Sequence, residues 1–164
     1  MAAAKSSDSP LPKLVQYALK GIPHEVILFP DAMRDAEEIA AFLQIPAGQV
    51  FKTLVAIRPD NQGKPYLAII PADGQLNLKA LAKAANEKKL VMASHAQAEQ
   101  LTGLQVGGIS ALALKNRGFK VYLDQSAQQY PHICVSGGQR GLDIKLSVSD
   151  LLRLTGAKLA DLIS

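Results

Sequence analysis

The chain has 164 residues, 48% hydrophobic and 20% charged, which is typical of a globular protein rather than a disordered or fibrous one. Its formal net charge of +4 permits contact with nucleic acid without requiring it, and the lack of tryptophan disfavours a base-stacking surface. A single cysteine, Cys134, excludes an internal disulfide, and no apolar run reaches the roughly 20 residues of a membrane span. We therefore expect a cytoplasmic protein that binds neither membrane nor DNA.

Composition changes once along the chain, close to its start. Residues 1–10 are mostly small residues, serine and proline, without the apolar block of a secretory signal, so we expect a flexible tail there. Residues 11–164 contain no internal repeat, charge block or linker. A stretch of this length can bury one core, and we expect a single domain over residues 11–164.

Apolar periodicity predicts helices and strands together in the first half of the chain. Apolar residues recur at helical spacing over residues 14–19 and 36–43, with a predicted strand between them over residues 24–29. Residues 50–57 and 65–70 are rich in β-branched and aromatic residues and flank a turn-rich stretch. These two segments should therefore pair as a hairpin.

In the second half, three helix starts carry capping residues. They are Asn77, Ser94 with Gln97, and Ser147 with Asp150. Strands are predicted over residues 120–123, 133–136 and 142–146. Because short hairpin-type links outnumber βαβ units, we expect a mixed α/β (α+β) fold, with a largely antiparallel sheet or barrel surrounded by helices.

Lys52 is a lone cation within the otherwise apolar strand over residues 50–57. Alternate residues of a strand share a face, so Lys52 should lie on the same side as Leu54 and Ala56. A buried, unpaired ammonium is costly, so this side chain must reach water, pair with an acid or serve a site. Two interpretations stay open: a lysine whose amine reaches water, or a cation aimed at an oxygen that gains negative charge during a reaction.

Two loops carry paired glycines, one over residues 106–110 and one over residues 135–138. Paired glycines let the backbone approach a ligand and present N–H groups, as a cradle for an anion or a carbonyl requires. Neither loop has the spacing of a phosphate loop or a dinucleotide fingerprint. Ser110 and Ser136 add hydroxyls, although each could equally cap its own turn.

Other catalytic and metal sites have little support in the sequence. His24, His95 and His132 lack the spacing of metal ligands, so we expect no metal and no other cofactor. His132 and Cys134 would share a strand face, but nothing marks a third group that orients them, and buried cysteine usually serves packing. The basic residues within 115–120 follow the first glycine loop and could meet phosphates that lead into a site.

Three ordered segments resemble a known family. They are residues 50–55 (VFKTLV), 106–110 (VGGIS) and 135–144 (VSGGQRGLDI). Together they closely resemble the YbaK type of aminoacyl-tRNA deacylase, a relative of the editing domain inserted in bacterial prolyl-tRNA synthetase. The likeness extends from about residue 14 to the end of the chain.

The resemblance implies a compact, barrel-like sheet surrounded by helices, and hydrolytic clearance of mischarged tRNA in trans. The typical substrate of this type is Cys-tRNA(Pro), so the implied partners are the acceptor end of tRNA(Pro) and prolyl-tRNA synthetase. Two alternatives stay open. One is a deacylase for Ala-tRNA(Pro) or another small amino acid that uses water as the nucleophile, and the other is a tRNA- or synthetase-binding module without turnover.

The resemblance also implies site residues. Lys52 matches the lysine regarded as essential in the family, and Gly107 and Gly108 match the loop around the aminoacyl ester, so these three are the expected catalytic residues. The expected substrate-binding residues are Phe29, Phe51, Thr53, Ile109, Ser110, Ser136, Gly137, Gly138 and Asp143. The sequence shows no strong protein base or nucleophile, which fits the family's substrate-assisted scheme, in which the thiol of the substrate attacks its own ester.

Overall fold

A computed structural model describes residues 10–164, so the tail predicted for residues 1–10 lies almost wholly outside the described residues. No helix in this part of the chain is long and apolar enough to cross a membrane. The helices α1 to α5 span Lys13–Ala18, Ala36–Leu43, Leu78–Ala84, His95–Thr102 and Val148–Thr155. The strands β1 to β8 span His24–Leu28, Phe51–Ile57, Tyr66–Pro71, Val91–Met92, Lys120–Asp124, His132–Ser136, Leu142–Ser147 and Lys158–Ala160. Short 3₁₀ helices cover Ala47–Gln49 and Gln125–Gln129.

The strands form two sheets. The larger sheet has the order β4-β2-β3-β5-β8, and the smaller has the order β1-β7-β6. All pairs of the smaller sheet and the β2–β3 and β2–β4 pairs are antiparallel, whereas β3–β5 and β5–β8 are parallel. An isolated bridge between Val50 and Cys134 joins the two sheets next to the start of β2.

The mixed helix and strand class and the predominance of antiparallel pairs are confirmed, but the expected barrel is not present in the described residues. A barrel requires the outer strands of a sheet to pair with each other. Here β4 and β8 remain the edges of the larger sheet, and β1 and β6 remain the edges of the smaller one. The hairpin predicted for residues 50–57 and 65–70 is the β2–β3 pair.

Both faces of the β2–β3 hairpin are buried. Phe51 and Val55 belong to the main core, which includes residues of β6, β7, α1 and α5. Ala56 and Tyr66 belong to a second core, closed by Leu81 of α3. Lys52 is the member of its strand face nearest the start of β2, on the side covered by α3, because alternate residues point to the same side.

Capping hydrogen bonds are present at the helix starts that the sequence predicted. The Asn77 side chain accepts from the backbone N–H of Ala80 at 3.0 Å, and both bonds of the capping box predicted for Ser94 are present. Ser147 caps α5 by accepting from the N–H of Asp150 at 3.1 Å. Strands β4 and β8 were not predicted, because two or three residues are too short to show alternation.

Candidate active site

A cavity of about 180 Å³ lies where the two sheets meet. Its walls come from β2, the facing residues of β6 and β7, the start of α2 and the first glycine loop. The lining residues are Arg34, Asp35, Ala36, Ile39, Val50, Phe51, Lys52, Thr53, Leu54, Val106, Gly107, Ile109, Ser136 and Asp143. Pockets for drug-sized ligands usually exceed roughly 300 Å³, so this cavity suits a small chemical group. A larger groove of about 790 Å³ beside α1 includes none of the predicted site residues.

The ammonium of Lys52 is anchored at the end of the larger sheet. Its Nζ donates to the carbonyl oxygen of Ala72 at 3.2 Å, and the N–H of Ala72 donates to the carbonyl of Val50 at 2.7 Å. Lys52 itself is half-buried, and no carboxylate of residues 10–164 lies within ion-pair distance of Nζ. A lysine ammonium has three protons to donate, so the side chain keeps donors free for a ligand.

Two side chains hold the peptide groups on either side of Val106. The N–H of Val106 donates to Oε2 of Glu99 at 2.9 Å, and its carbonyl accepts from Nε of Arg140 at 2.8 Å. Glu99 belongs to α4 and Arg140 follows the second glycine loop, so this point of the first loop is held from two directions. The residue that follows, Gly107, is thereby held against the cavity.

Gly107 and Gly108 differ in what their backbone can offer. Gly107 has φ +93°, a conformation that favours glycine, and its N–H makes no hydrogen bond to any described residue. The N–H of Gly108 instead donates to the carbonyl of Gln105 at 2.8 Å. Of the two glycines, Gly107 is therefore the one whose N–H is free to donate, whereas the N–H of Gly108 stabilises the turn.

The two glycine loops pack against each other with little space between their backbones. A Cβ added to Gly108 would lie 2.8 Å from Cα of Gln139, and one on Gly137 would lie 2.8 Å from Cγ of Leu142. A Cβ on Gly138 would lie 3.2 Å from the side chain of Val15 in α1. These three glycines serve close approach between segments and do not line the cavity.

Ser110 and Phe29 also lie outside the cavity wall. Ser110 is buried, and its Oγ accepts from the N–H of Leu112 at 3.1 Å and that of Ala113 at 3.3 Å, so it caps its own turn. Phe29 is half-buried, and its N–H donates to the carbonyl of Gly141 at 3.1 Å. Seven of the twelve predicted site residues line the cavity: Lys52, Gly107, Phe51, Thr53, Ile109, Ser136 and Asp143.

Asp143 places a carboxyl group on the cavity wall. It lies on β7 opposite Ser136 of β6 and Ile27 of β1, and only 6% of the residue is exposed. Its carboxylate makes no hydrogen bond or ion pair within the described part of the chain, and burial raises the pKa of Asp143 to about 7. Near neutral pH this group can either accept or donate a proton.

Among the described residues that line the cavity, no nucleophile is paired with a base. Thr53 and Ser136 contribute hydroxyls, and Oγ of Ser136 accepts from the N–H of Gly138 at 3.3 Å without a hydrogen bond to Asp143. The three histidines are exposed and do not line the cavity. Cys134 is buried outside it, and burial, with a smaller contribution from the negative charge of Asp143, raises the pKa of this thiol to about 12. The Cys134–His132 pair therefore has neither a reactive thiolate nor access to the cavity.

The sequence did not predict that the start of α2 forms part of the cavity wall. Arg34 lies beside Gly107, since a Cβ on that glycine would be 3.6 Å from Cγ of Arg34. Asp35 caps α2, and its Oδ2 accepts from the N–H of Glu38 at 3.2 Å. The apolar stripe of α2 predicts that the helix packs against other segments, but its partners include Ala72, just after β3, and Cys134 of β6, which no local pattern could identify.

Comparisons with known proteins identify the family. A model of the aminoacyl-tRNA editing domain matches residues 30–154. An Enterococcus faecalis protein named as a candidate Cys-tRNA(Pro)/Cys-tRNA(Cys) deacylase, EbsC, is 41% identical over 127 residues, which cover 77% of this chain and 76% of that protein. The proline–tRNA ligase of Geobacter metallireducens is 32% identical over 112 residues, 68% of this chain and 19% of the ligase.

Solved structures agree with the sequence relatives. A crystal structure described as a candidate trans-editing enzyme for prolyl tRNA synthetase superposes with a TM-score of 0.80 at 28% identity, covering 95% of this chain and 98% of that one. The chain belongs to the aminoacyl-tRNA editing domain family. It is an aminoacyl-tRNA deacylase of the YbaK type, an enzyme whose substrate is aminoacyl-tRNA.

Proposed function

We propose that this deacylase clears Cys-tRNA(Pro), the product formed when prolyl-tRNA synthetase attaches cysteine in place of proline. The observation that carries the proposal is the small cavity of about 180 Å³, with Lys52 and the free N–H of Gly107 on its wall. The name of the Enterococcus faecalis relative and the similarity to proline–tRNA ligases support the same substrate. The enzyme acts in trans, in the cytoplasm, on the acceptor end of tRNA(Pro), in association with prolyl-tRNA synthetase.

The ester of aminoacyl-tRNA is already activated, so positioning and charge stabilisation are sufficient to accelerate its cleavage. The N–H of Gly107 donates to the acyl carbonyl, and Lys52 orients the ester and the terminal ribose and balances the developing negative charge. The thiol sulfur of the cysteinyl group attacks its own carbonyl carbon, and the bond from that carbon to the ribose oxygen breaks. The proton lost by the thiol ends on the ribose hydroxyl, and water then opens the resulting thiolactone.

The remaining residues shape the pocket for the substrate. Phe51, Thr53 and Ile109 contact the aminoacyl group from the cavity wall, and Ser136 and Asp143 supply polar contacts. The predicted residues that do not line the cavity support the loops that contact the substrate; they are Phe29, Gly108, Ser110, Gly137 and Gly138. Residues 11–164 work as one domain.

A second candidate function is favoured by Asp143. With a pKa of about 7, its carboxylate could activate a water molecule near neutral pH. A water nucleophile would allow removal of an amino acid without a thiol, so the alternative substrate is Ala-tRNA(Pro) or tRNA charged with another small amino acid. This scheme uses the same Lys52 and Gly107 contacts and differs only in the nucleophile.

One experiment tests both candidates. Purified enzyme and its Lys52→Ala variant are incubated with tRNA(Pro) charged with cysteine, alanine or proline, and the remaining ester is measured over time. We expect wild type to cleave the cysteine ester fastest and Lys52→Ala to be about 10²–10³-fold slower, the cost of losing one positioned donor. Lys158→Ala, an exposed lysine of β8, is the control and should keep full activity.

Faster cleavage of the alanine ester than of the cysteine ester would favour the second candidate. A folded Lys52→Ala enzyme, verified by its thermal unfolding midpoint, that keeps the wild-type rate would reject the role of Lys52 in both.

A further inference from the structure

Four lysines form a continuous basic strip along α3 and the segment after it. This lysine row consists of Lys79 and Lys83 on α3 and Lys88 and Lys89 before β4, all exposed. Lys79 and Lys83 are one helical turn apart, about 6 Å along the axis, and share a face of the helix. The row borders two adjoining grooves of about 660 Å³ and 460 Å³ that have Lys88 and Lys89 in common.

The charge of the lysine row is not neutralised within the described residues. None of the four ammonium groups forms an ion pair or a side-chain hydrogen bond there. Glu87 lines both grooves, but its carboxylate accepts from the hydroxyl of Tyr66 and lies 4.0 Å from Arg58. Asp60 is paired with Arg58 at 2.9 Å. The strip therefore presents four positive charges to a ligand, on a chain whose net charge is only +4.

The row starts near the active-site end of the larger sheet and leads away from it. Helix α3 covers the sheet face that carries Lys52, and it begins at Leu78, a short distance along the chain from Ala72, whose carbonyl binds Lys52. Glu87, beyond the end of α3, reaches Tyr66 at the opposite end of β3. A rod-shaped polyanion that lies along α3 would thus have one end close to the cavity.

We propose that the lysine row binds backbone phosphates of the tRNA acceptor stem while the aminoacylated 3′ end enters the cavity. The proposal rests on Lys52 marking the active site, as argued above. Ammonium groups on flexible stems suit phosphates, and duplex RNA is bound mainly through its shape and backbone. The start of α2, which also lines the cavity, carries three acids, Asp35, Glu37 and Glu38, next to one cation, Arg34, so its net negative charge disfavours phosphates there.

Phosphate contacts carry no sequence information, so the row contributes affinity for any tRNA rather than a choice of tRNA(Pro). Selection among tRNAs must then arise elsewhere. This separates the contribution of the lysine row from the specificity of the cavity for the amino acid.

The test compares two variants of equal net charge. One carries Lys79→Gln, Lys83→Gln, Lys88→Gln and Lys89→Gln, and the control carries Gln at four exposed lysines elsewhere, Lys13, Lys20, Lys64 and Lys158. The dissociation constant of uncharged tRNA(Pro) is measured by fluorescence anisotropy over a salt series. We expect the row variant to bind tRNA about tenfold or more weakly than wild type at low salt. The slope of log K against log salt concentration should be less steep than in wild type by about 3. The control variant should stay close to wild type.

Deacylation supplies a second readout. In the row variant the KM for charged tRNA should rise with kcat unchanged, because only uniform binding is lost. Cleavage of a short aminoacylated oligonucleotide that ends in CCA and lacks the stem should not change. Three results would each overturn the proposal. The row variant could bind tRNA as tightly as wild type, or the control variant could lose as much tRNA affinity as the row variant. The third is that the row variant cleaves the short oligonucleotide as poorly as it cleaves full tRNA. Wild-type protein that binds vesicles of anionic phospholipid but no tRNA would also overturn it.

Because the binding arm uses uncharged tRNA, it does not depend on which ester is cleaved. If wild-type protein fails to cleave Cys-tRNA(Pro) but the row variant still binds tRNA more weakly than wild type, the proposed substrate is rejected and the tRNA-binding role of the lysine row is supported.

Discussion

At the scale of single residues, Asp143 links the cavity to the stability of the fold. Burial raises the pKa of its carboxyl from 3.8 to about 7, so the folded state holds the proton more tightly than the unfolded chain does. The stability contributed by the protonated form is complete below about pH 4 and is lost as the pH rises to about 7. Above that pH the folded protein carries a buried charge that no described residue pairs with.

We therefore expect Asp143→Asn to be more stable than wild type at pH 8, by an amount on the order of a few kcal/mol. The advantage should shrink as the pH falls toward 4, because both proteins then have a neutral side chain at this position. Urea unfolding at several pH values measures the difference. Asp161→Asn, at an exposed position, is the control, and a difference for Asp143→Asn that does not vary with pH would contradict the assignment.

At the scale of elements, the two glycine loops depend on the missing side chain of Gly108. A Cβ there would lie 2.8 Å from Cα and 2.9 Å from the carbonyl carbon of Gln139, and backbone atoms cannot move aside without shifting the loop. The same loop carries the clamped peptide of Val106 and the free N–H of Gly107. Packing between loops thus positions the N–H of Gly107, the donor proposed for the acyl carbonyl.

Gly108→Ala should lower the free energy of unfolding by roughly 1–3 kcal/mol and slow deacylation, because the loops must separate. Gly103→Ala is a matched control: Gly103 has φ +74° but nothing within 4 Å of an added Cβ, so only backbone strain of about 1 kcal/mol is expected, with unchanged activity. Urea unfolding and the deacylation rate are measured for both. Full activity in Gly108→Ala would contradict this prediction, because it would show that the loop can shift without slowing deacylation.

At the scale of the whole molecule, the last residues of the chain connect parts that are far apart in sequence. Leu162 is fully buried in the second core, its N–H donates to Oδ1 of Asp124 at 2.8 Å, and its carbonyl accepts from the N–H of Asn77 at 2.7 Å. Ile163 forms an isolated bridge with Leu76. This segment ties the end of β5 to the start of α3, where the lysine row begins.

Leu162→Ala should lower the free energy of unfolding by about 2–5 kcal/mol, because it removes buried apolar contacts and leaves a cavity. Leu159→Ala, at a position 36% exposed on β8, should cost less than half as much. Chemical denaturation of both variants measures the difference. Equal effects would show that the last segment does not complete the core.

Short segments of the sequence were enough to predict the helix starts at Asn77, Ser94 and Ser147, the β2–β3 hairpin and the unusual position of Lys52, and the resemblance of three motifs was enough to predict the deacylase family. These features depend on local hydrogen bonding, periodicity or ordered motifs, each of which involves residues that are close together in the sequence. The folded chain alone shows that the strands form two sheets, that Arg34 lies beside Gly107, and that Asp143 is buried with no partner among the described residues. It also shows that Lys79, Lys83, Lys88 and Lys89 form one strip, because contacts between distant segments set burial and charge proximity and no single segment contains them.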